Sequence, residues 1–432
     1  MAQKLKFGNG TWATKEGSTL AYNDENNNFK PLPFSFTRNS IATRVNKEGL
    51  IEVVGNDKPR IDYTDSEDGV LLLENSSTNL VTYSEDMSNG SWTKSNSNIT
   101  SNNIISPDGS LNADKLKEDS TNTFHRLANV LSVSNGVSYS VSIFVKKAER
   151  RYVRFASAFG SGDALTDFDI LNGTVLNGNG SIKDYGNGWF KITNNFTADS
   201  TFTSINVFQL FLLNDNKVRN YQGDGTSGVY VWGAMLEQNS VASSYIPTSG
   251  STVQRAAETA NGAGNSEVFN DSEGVLFANI AALSNDETSR VISISNGFST
   301  ANRLVLQYTN NVGGNQVVGF AQATSYSSVL TTPIQNALAF NKFALEYNDV
   351  LNTLELWING FKSNYGSWNH SFPTNSLSKI QLTDANSSGN PFYGKTKEIG
   401  YYDTALTDEE LEYITSYRSL NELVTELNLN TL

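Results

Sequence analysis

The sequence predicts an all-β protein of two consecutive antiparallel β-sandwiches, the first jelly-roll-like, with an extended N-terminal segment and a short C-terminal helix. Three observations predict it. Apolar and polar residues alternate in many short runs, which is the period of a strand with one buried face. Asn-Gly pairs stand between such runs, and both residues accept the positive φ of a tight hairpin turn. The composition agrees, since 33 Gly, 11% aromatic residues and only 8 Pro favour short strands and turns over helices. At 432 residues the chain exceeds one ordinary core, so it should fold as two or three domains.

Residues 1–69 offer Leu5, Phe7 and Trp12 in short extended pieces, then a polar, turn-like segment at 24–28. Pro31 and Pro33 forbid a helix directly after it. Val45, Leu50, Ile51, Val53 and Ile61 follow in brief runs, with too little apolar mass to fold alone. Two readings stay open here. The segment is a strand region packed on the next domain, or a docking region ordered by a larger assembly.

Residues 70–258 carry the first regular strand series. Leu71, Leu72 and Leu73 make a short buried run, and Val137, Tyr139, Val141, Ile143 and Val145 alternate with Ser residues and Phe144. Asn172-Gly173 and Asn187-Gly188 read as hairpin turns. Residues 205–212 are apolar on both faces, which places them centrally in a sandwich. The series closes at residues 229–257. There Val229, Val231 and Gly233 are expected on one side and Tyr230, Trp232 and Ala234 on the other. Tyr245-Ile246-Pro247 then reads as a packed strap rather than a loose linker, because free linkers seldom carry such apolar bulk.

Residues 259–432 repeat the pattern. Leu276, Ala278, Ile280 and Ala282 alternate, as do Leu304, Leu306 and Tyr308, then Phe343, Leu345 and Tyr347. Leu354, Leu356 and Ile358 lead into an Asn359-Gly360 turn. Thr407 with Glu410 spells a capping box, and Ser419 with Glu422 spells a second. Leu420, Leu423, Val424 and Leu427 form an apolar stripe on the last helix, which packs on its own domain or meets symmetry mates.

The formal charge of −13 argues against a nucleic-acid partner, which would need clustered Lys and Arg. The one basic cluster, Lys146-Lys147 with Arg150-Arg151, reads as a solvated turn. Zero Cys removes disulfides, thiolate metal sites and cysteine nucleophiles together. No apolar run suffices for membrane insertion, and MAQKLKFGNG carries no signal core.

Three stretches resemble known families. SFTRNSIATRVNKEGLIEVVGNDKPRIDY (35–63), with LLLENSSTNLVTYSEDMSNGSWTK (71–94), resembles the start of many bacteriophage tail and fibre proteins. GVYVWGAMLEQNSVASSYIPTSGSTVQRAAE (228–258) is similar to the segment that closes the carbohydrate-binding-module-like domain of those proteins. LELWINGF (354–361) with KTKEIGYYDTALTDEELEYI (395–414) resembles the concanavalin-like, laminin-G-like fold. These resemblances imply a virion structural protein, a fibre, spike or head or tail decoration exposed on a phage particle. They also imply a homotrimer, docked through residues 1–69 on a capsid or tail protein and displaying its sandwiches to a host cell-surface glycan. No heptad or repetitive shaft is visible, so a compact spike or decoration fits better than a long stalk.

No catalytic constellation stands out, and a non-enzymatic chain is expected. The two histidines, His125 and His370, lie far apart in the sequence and read as surface or loop residues. The alternatives are a polysaccharide depolymerase using carboxylates of the second sandwich, or a structural component without ligand. A β-sandwich that binds sugars presents exposed rings to pyranose faces beside polar hydrogen-bonding groups. The aromatics nearest turns are Tyr152, Tyr185, Trp189, Tyr365 and Trp368, the last two in the polar loop SNYGSWNH. QGDGTSG (222–228) lacks the Lys of a phosphate loop and precedes a strand, so it reads as a turn; a structural calcium at Asp224 is an expectation, since loop oxygens suit that ion.

Overall fold

A computed structural model describes residues 3–427 apart from 16, 21–31, 158–163, 200–204, 286–287, 298, 310–314 and 386–388. The polar segment at 24–28 and Pro31 lie outside the described residues. Almost everything described is strand or loop, with two short helices, α1 (Asp408–Thr415) and α2 (Leu420–Glu426). The residues divide into two compact units. Unit 1 holds Met1–Asn39, Gly55–Asn75 and Ala257–Leu432, and unit 2 holds Ser40–Val54 and Ser76–Ala256. This differs from the expected order of 1–69, 70–258 and 259–432, because the early residues are shared between the two sandwiches.

Unit 2 consists mainly of two six-stranded antiparallel sheets. Ile205–Leu213 sits centrally between Arg126–Leu131 and Tyr152–Ser157, as its two apolar faces require. Gly228–Glu237 lies between Leu111–Glu118 and Ser138–Lys147 in the other sheet. Leu127, Phe155 and Leu210 from one sheet share a core with Val141, Ile143, Val229 and Val231 from the other.

The closing strand departs from strict alternation. Its pairing with Ser138–Lys147 slips between Ser142↔Met235 and Phe144↔Trp232. Gly233 stands in the slip at φ +64°, where a Cβ would lie 2.9 Å from the Phe144 ring. Such a bulge uses one extra residue and reverses the side-chain parity beyond it. Val229, Val231, Ala234 and Leu236 therefore enter the main core, whereas Trp232 and Met235 join a second cluster. That cluster holds Val45, Ile51, Phe144, Trp189, Tyr245 and Ile246. The expected strap is thus packed, and Trp232 and Ala234 sit on opposite faces rather than the same one.

Unit 1 pairs an eight-stranded sheet with a nine-stranded one around a single core. The described residues of 1–69 do not stand apart. Leu5–Gly8 pairs with Gly394–Tyr402, and Phe34–Thr37 pairs with Thr259–Ala263. Leu5, Phe7, Phe34 and Phe36 are buried in the core of unit 1, so its early strands complete the C-terminal sandwich. Val70–Leu73, expected in the first sandwich, pairs with Gly394–Tyr402 as well. The Asn359-Gly360 turn forms as predicted, with φ of +50° and +92° and Ile358 opposite Phe361.

Arg38, Arg60, Glu74 and Glu258 bring three separate segments of unit 1 together. Arg38 Nη1 donates to Glu258 Oε1 at 2.7 Å, and Arg60 Nε donates to the same oxygen at 2.8 Å. Arg60 Nη2 donates to Glu74 Oε2 at 2.8 Å and also to Glu258 Oε2. Burial would lower the pKa of Arg60, but the charges of Glu258 and Glu74 outweigh it and raise that pKa above the ordinary value.

The two helices differ. Thr407 and Glu410 complete the predicted capping box of α1, whose Leu411 is buried against Val275, Phe277, Trp357 and Tyr402. Ser419 accepts from Glu422 N at 3.0 Å, but the Glu422 carboxylate accepts from Arg418 N instead of closing the box. No residue of α2 is buried, and Leu420 is 72% exposed, so the expected apolar stripe does not enter the core.

Candidate glycan-binding surface

The outer face of the eight-stranded sheet of unit 1, part of it apolar beneath α1, ends at its edge strand Phe361–Ser367. Among the described residues no further strand pairs beyond it in this sheet, so side chains on its outer face can stand in water. Tyr365 does so at 75% exposure, directly opposite Glu355 on the neighbouring strand. The Lys362 ammonium lies 3.0 Å from Glu355 and 3.0 Å from Asp408 of α1, with its charge 5.4 Å from the Trp357 ring centroid. Trp357 Nε1 donates to Glu355 Oε2 at 3.1 Å. One exposed ring thus stands beside a fixed set of carboxylate and ammonium groups, which offers an apolar face and hydrogen-bonding partners together.

Behind this row, Glu346 pairs with Glu355 across the next strand boundary. Burial pushes its pKa up to about 7, and the nearby charges of Glu355 and Asp408 add to the effect. Its Oε2 accepts from Leu406 N at 2.7 Å, and the residue is 4% exposed.

Trp368 does not join Tyr365. It is fully buried, with its ring 5.1 Å from Phe372 and 5.6 Å from Tyr326, so it serves the core rather than a ligand. Phe372 lies just past the polar stretch and Tyr326 far back in the chain, so the local polarity of SNYGSWNH does not reveal the burial. Beside Trp368 the rings of Tyr326 and His370 stack in parallel at 3.8 Å. Forty-odd residues separate them, and no local pattern signals the contact.

In unit 2 the expected aromatics are mostly engaged. Trp189 is buried at 2% exposure and donates from Nε1 to Ile105 O at 3.2 Å, which corrects its assignment as a surface ring. Tyr185 packs edge-on to Phe144 at 4.9 Å. Tyr152 is half-buried and flanked by Arg151 at 4.7 Å and Lys217 at 5.4 Å. His125, expected as a surface or loop residue, lies between two strands but is fully buried beside Tyr221, with Nδ1 2.6 Å from Asn96 O.

The two arginines of the basic cluster are paired with carboxylates within the fold. Arg150 forms a two-pronged pair with the buried Glu118, and Arg151 does so with Asp169. Asp224 caps its own turn, accepting from Thr226 N at 2.7 Å, Ser227 N at 2.7 Å and Ser227 Oγ at 2.6 Å. The Ser227 hydroxyl bond is the largest of the effects that hold its carboxyl well below the usual range. Among the described residues, no group of three or more His, Asp or Glu side chains is placed to hold a metal ion.

No family model matches the chain, and no curated protein matches it. Among solved structures, Ruminococcus gnavus IT-sialidase CBM40 bound to alpha2,3 sialyllactose is 18% identical at a TM-score of 0.30, over 34% of this chain and 84% of that one. A leech intramolecular trans-sialidase is 18% identical at a TM-score of 0.30, over 35% and 24% of the two chains. A native heptameric SAP-like pentraxin from Limulus polyphemus is 13% identical at 0.27, over 34% and 71%. Likenesses this distant do not bear on what this chain binds.

Proposed function

We propose that this protein is a carbohydrate-binding structural component of a bacteriophage particle, a compact spike, fibre or decoration assembled as a homotrimer. Its described sandwiches act as display platforms, and the Tyr365 surface of unit 1 takes a sugar of a host-surface glycan. The observation that carries the binding reading is Tyr365 itself, a large ring 75% exposed beside Glu355 and Lys362. A ring face contributes apolar contact with a pyranose, and the charged pair supplies acceptors and donors for its hydroxyls. The phage setting is supported by the ordered resemblances at 35–63, 71–94 and 228–258.

The full chain should bind immobilised host polysaccharide, and Tyr365→Ala should weaken that binding by about tenfold or more. Silence across a glycan array, with the chain still present on purified particles, would assign it a purely structural role instead. New reducing ends after incubation with the polysaccharide would overturn the non-enzymatic reading in favour of a depolymerase. A monomeric mass in solution and on the particle would remove the trimer.

A further inference from the structure

The outer face of the same sheet in unit 1 holds a second feature beneath α2. Lys342, Asn279 and Glu398 sit side by side on three neighbouring strands. Over them α2 extends Glu422 and Glu426. Glu422 accepts from Lys342 Nζ at 2.6 Å, and Glu426 accepts from Lys397 Nζ at 2.5 Å. Together with Asp68, Phe277 and Arg418, these residues enclose a pocket of about 360 Å³. That volume falls within the range of about 300–1,000 Å³ typical of small-molecule sites.

Asn279 is 8% exposed, and its Oδ1 is buried without a hydrogen-bond partner. Glu426 Oε2 is likewise buried and unpartnered. Buried acceptors left unsatisfied are rare in folded proteins and call for an explanation. Both atoms call for a donor. The lining also sets the charge of what can supply it. An anion would meet Asp68, Glu398, Glu422 and Glu426, while a cation would meet Lys342, Lys397 and Arg418. A hydroxyl suits both groups, since it donates to the acceptors and accepts from the ammonium and guanidinium groups. Phe277 adds an apolar contact for a ring or carbon chain.

We propose that this pocket binds a neutral polyhydroxylated small molecule, of the size of a monosaccharide or cyclic polyol. It is separate from the Tyr365 surface and does not depend on that reading. The ion pairs of Glu422 and Glu426 of α2 with Lys342 and Lys397 form one wall.

The test titrates the full chain by calorimetry and saturation-transfer NMR with glucose, galactose, mannose, N-acetylglucosamine and myo-inositol. Inorganic phosphate and ethanolamine serve as the anionic and cationic probes. At least one neutral polyol should bind, and Asn279→Leu should weaken it by about tenfold through loss of the buried acceptor. Glu426→Gln lies on the surface helix, changes no residue of the sheet although it weakens the pair with Lys397, and should also weaken binding. Should Asn279→Leu fail to fold, Glu426→Gln decides alone. The proposal is overturned if no neutral polyol binds, or if phosphate or ethanolamine binds in its place. Binding that survives unchanged in the folded variants places the sugar elsewhere on the molecule and also overturns it.

Discussion

Each unit is closed by residues far apart in the sequence, and the two closures use opposite chemistry. In unit 1, Arg38 meets Glu258 across 220 positions, inside a group of four fully or nearly fully buried charges. In unit 2, Thr43 Oγ1 donates to Tyr245 O across 202 positions, at the margin of an apolar and aromatic cluster. Tyr245 there meets Trp232 at 4.5 Å and Phe144 at 6.1 Å between ring centroids. Dispersion contacts within such a cluster tolerate a side chain of similar volume. A buried ionic group has no such latitude, because removing one member leaves the others charged, dehydrated and unpaired. The same structural task therefore carries different sensitivities in the two sandwiches.

The largest effect should come from Glu258→Gln, which withdraws the anion shared by Arg38 and Arg60. A loss of about 3–5 kcal/mol is expected for breaking a buried pair from one side. Hydrogen exchange should locate the damage in the strands of unit 1, with protection in unit 2 retained. A loss below about 1 kcal/mol, in the range of exposed pairs, would mean that the network adds little to closure.

Met235→Ala tests the apolar counterpart. Met235 is fully buried, and its Sδ lies 3.1 Å from Ile246 N, so truncation opens a cavity under the strap. The expected cost is about 2–5 kcal/mol, confined to unit 2. Met235→Leu should cost less than about 1.5 kcal/mol because it nearly conserves volume. Equal losses from the two substitutions, read by denaturant unfolding, would show that volume is not what the closure depends on.

The apolar closure was legible in the sequence and the ionic one was not. Tyr245-Ile246-Pro247 placed bulk where a linker would carry none, and that anomaly alone predicted packing. Arg38, Arg60, Glu74 and Glu258 look like any surface charges until the chain brings them together. The strands were readable because alternation is local, as in 276–282, and so was the capping box of α1. Which strand pairs with which is not local, so the entry of Leu5–Gly8 and Val70–Leu73 into the C-terminal sandwich left no trace in their own residues. One bulge at Gly233 was enough to move Ala234 from the face that alternation assigned, while Trp232 stayed on its own. At the candidate site, Tyr365 is exposed as the polar stretch suggested, though on an edge strand rather than a loop, but nothing there signalled that Trp368, three residues later, turns into the core.

A third substitution separates buried charge that is compensated from buried charge that is not favoured. Glu258 sits between two guanidinium groups, whereas Glu346 is buried near the carboxylates of Glu355 and Asp408. Burial raises the Glu346 pKa from an ordinary 4.5 to about 7, only partly offset by the Leu406 N–H bond and the Lys362 charge. The folded protein thus holds a proton that the unfolded chain has released between pH 4.5 and 7. Stability must then fall as pH rises through that window, because the folded state is the one that binds more protons. Glu346→Gln keeps an acceptor for Leu406 N and removes the titration. The variant and the parent should differ little at pH 4.5, while at pH 8 the variant should be more stable by about 1–3 kcal/mol. Urea unfolding at both pH values reads this directly. A difference that stays constant with pH would mean that Glu346 is ionised in the folded protein, and that unit 1 tolerates an anion at this position without a guanidinium beside it.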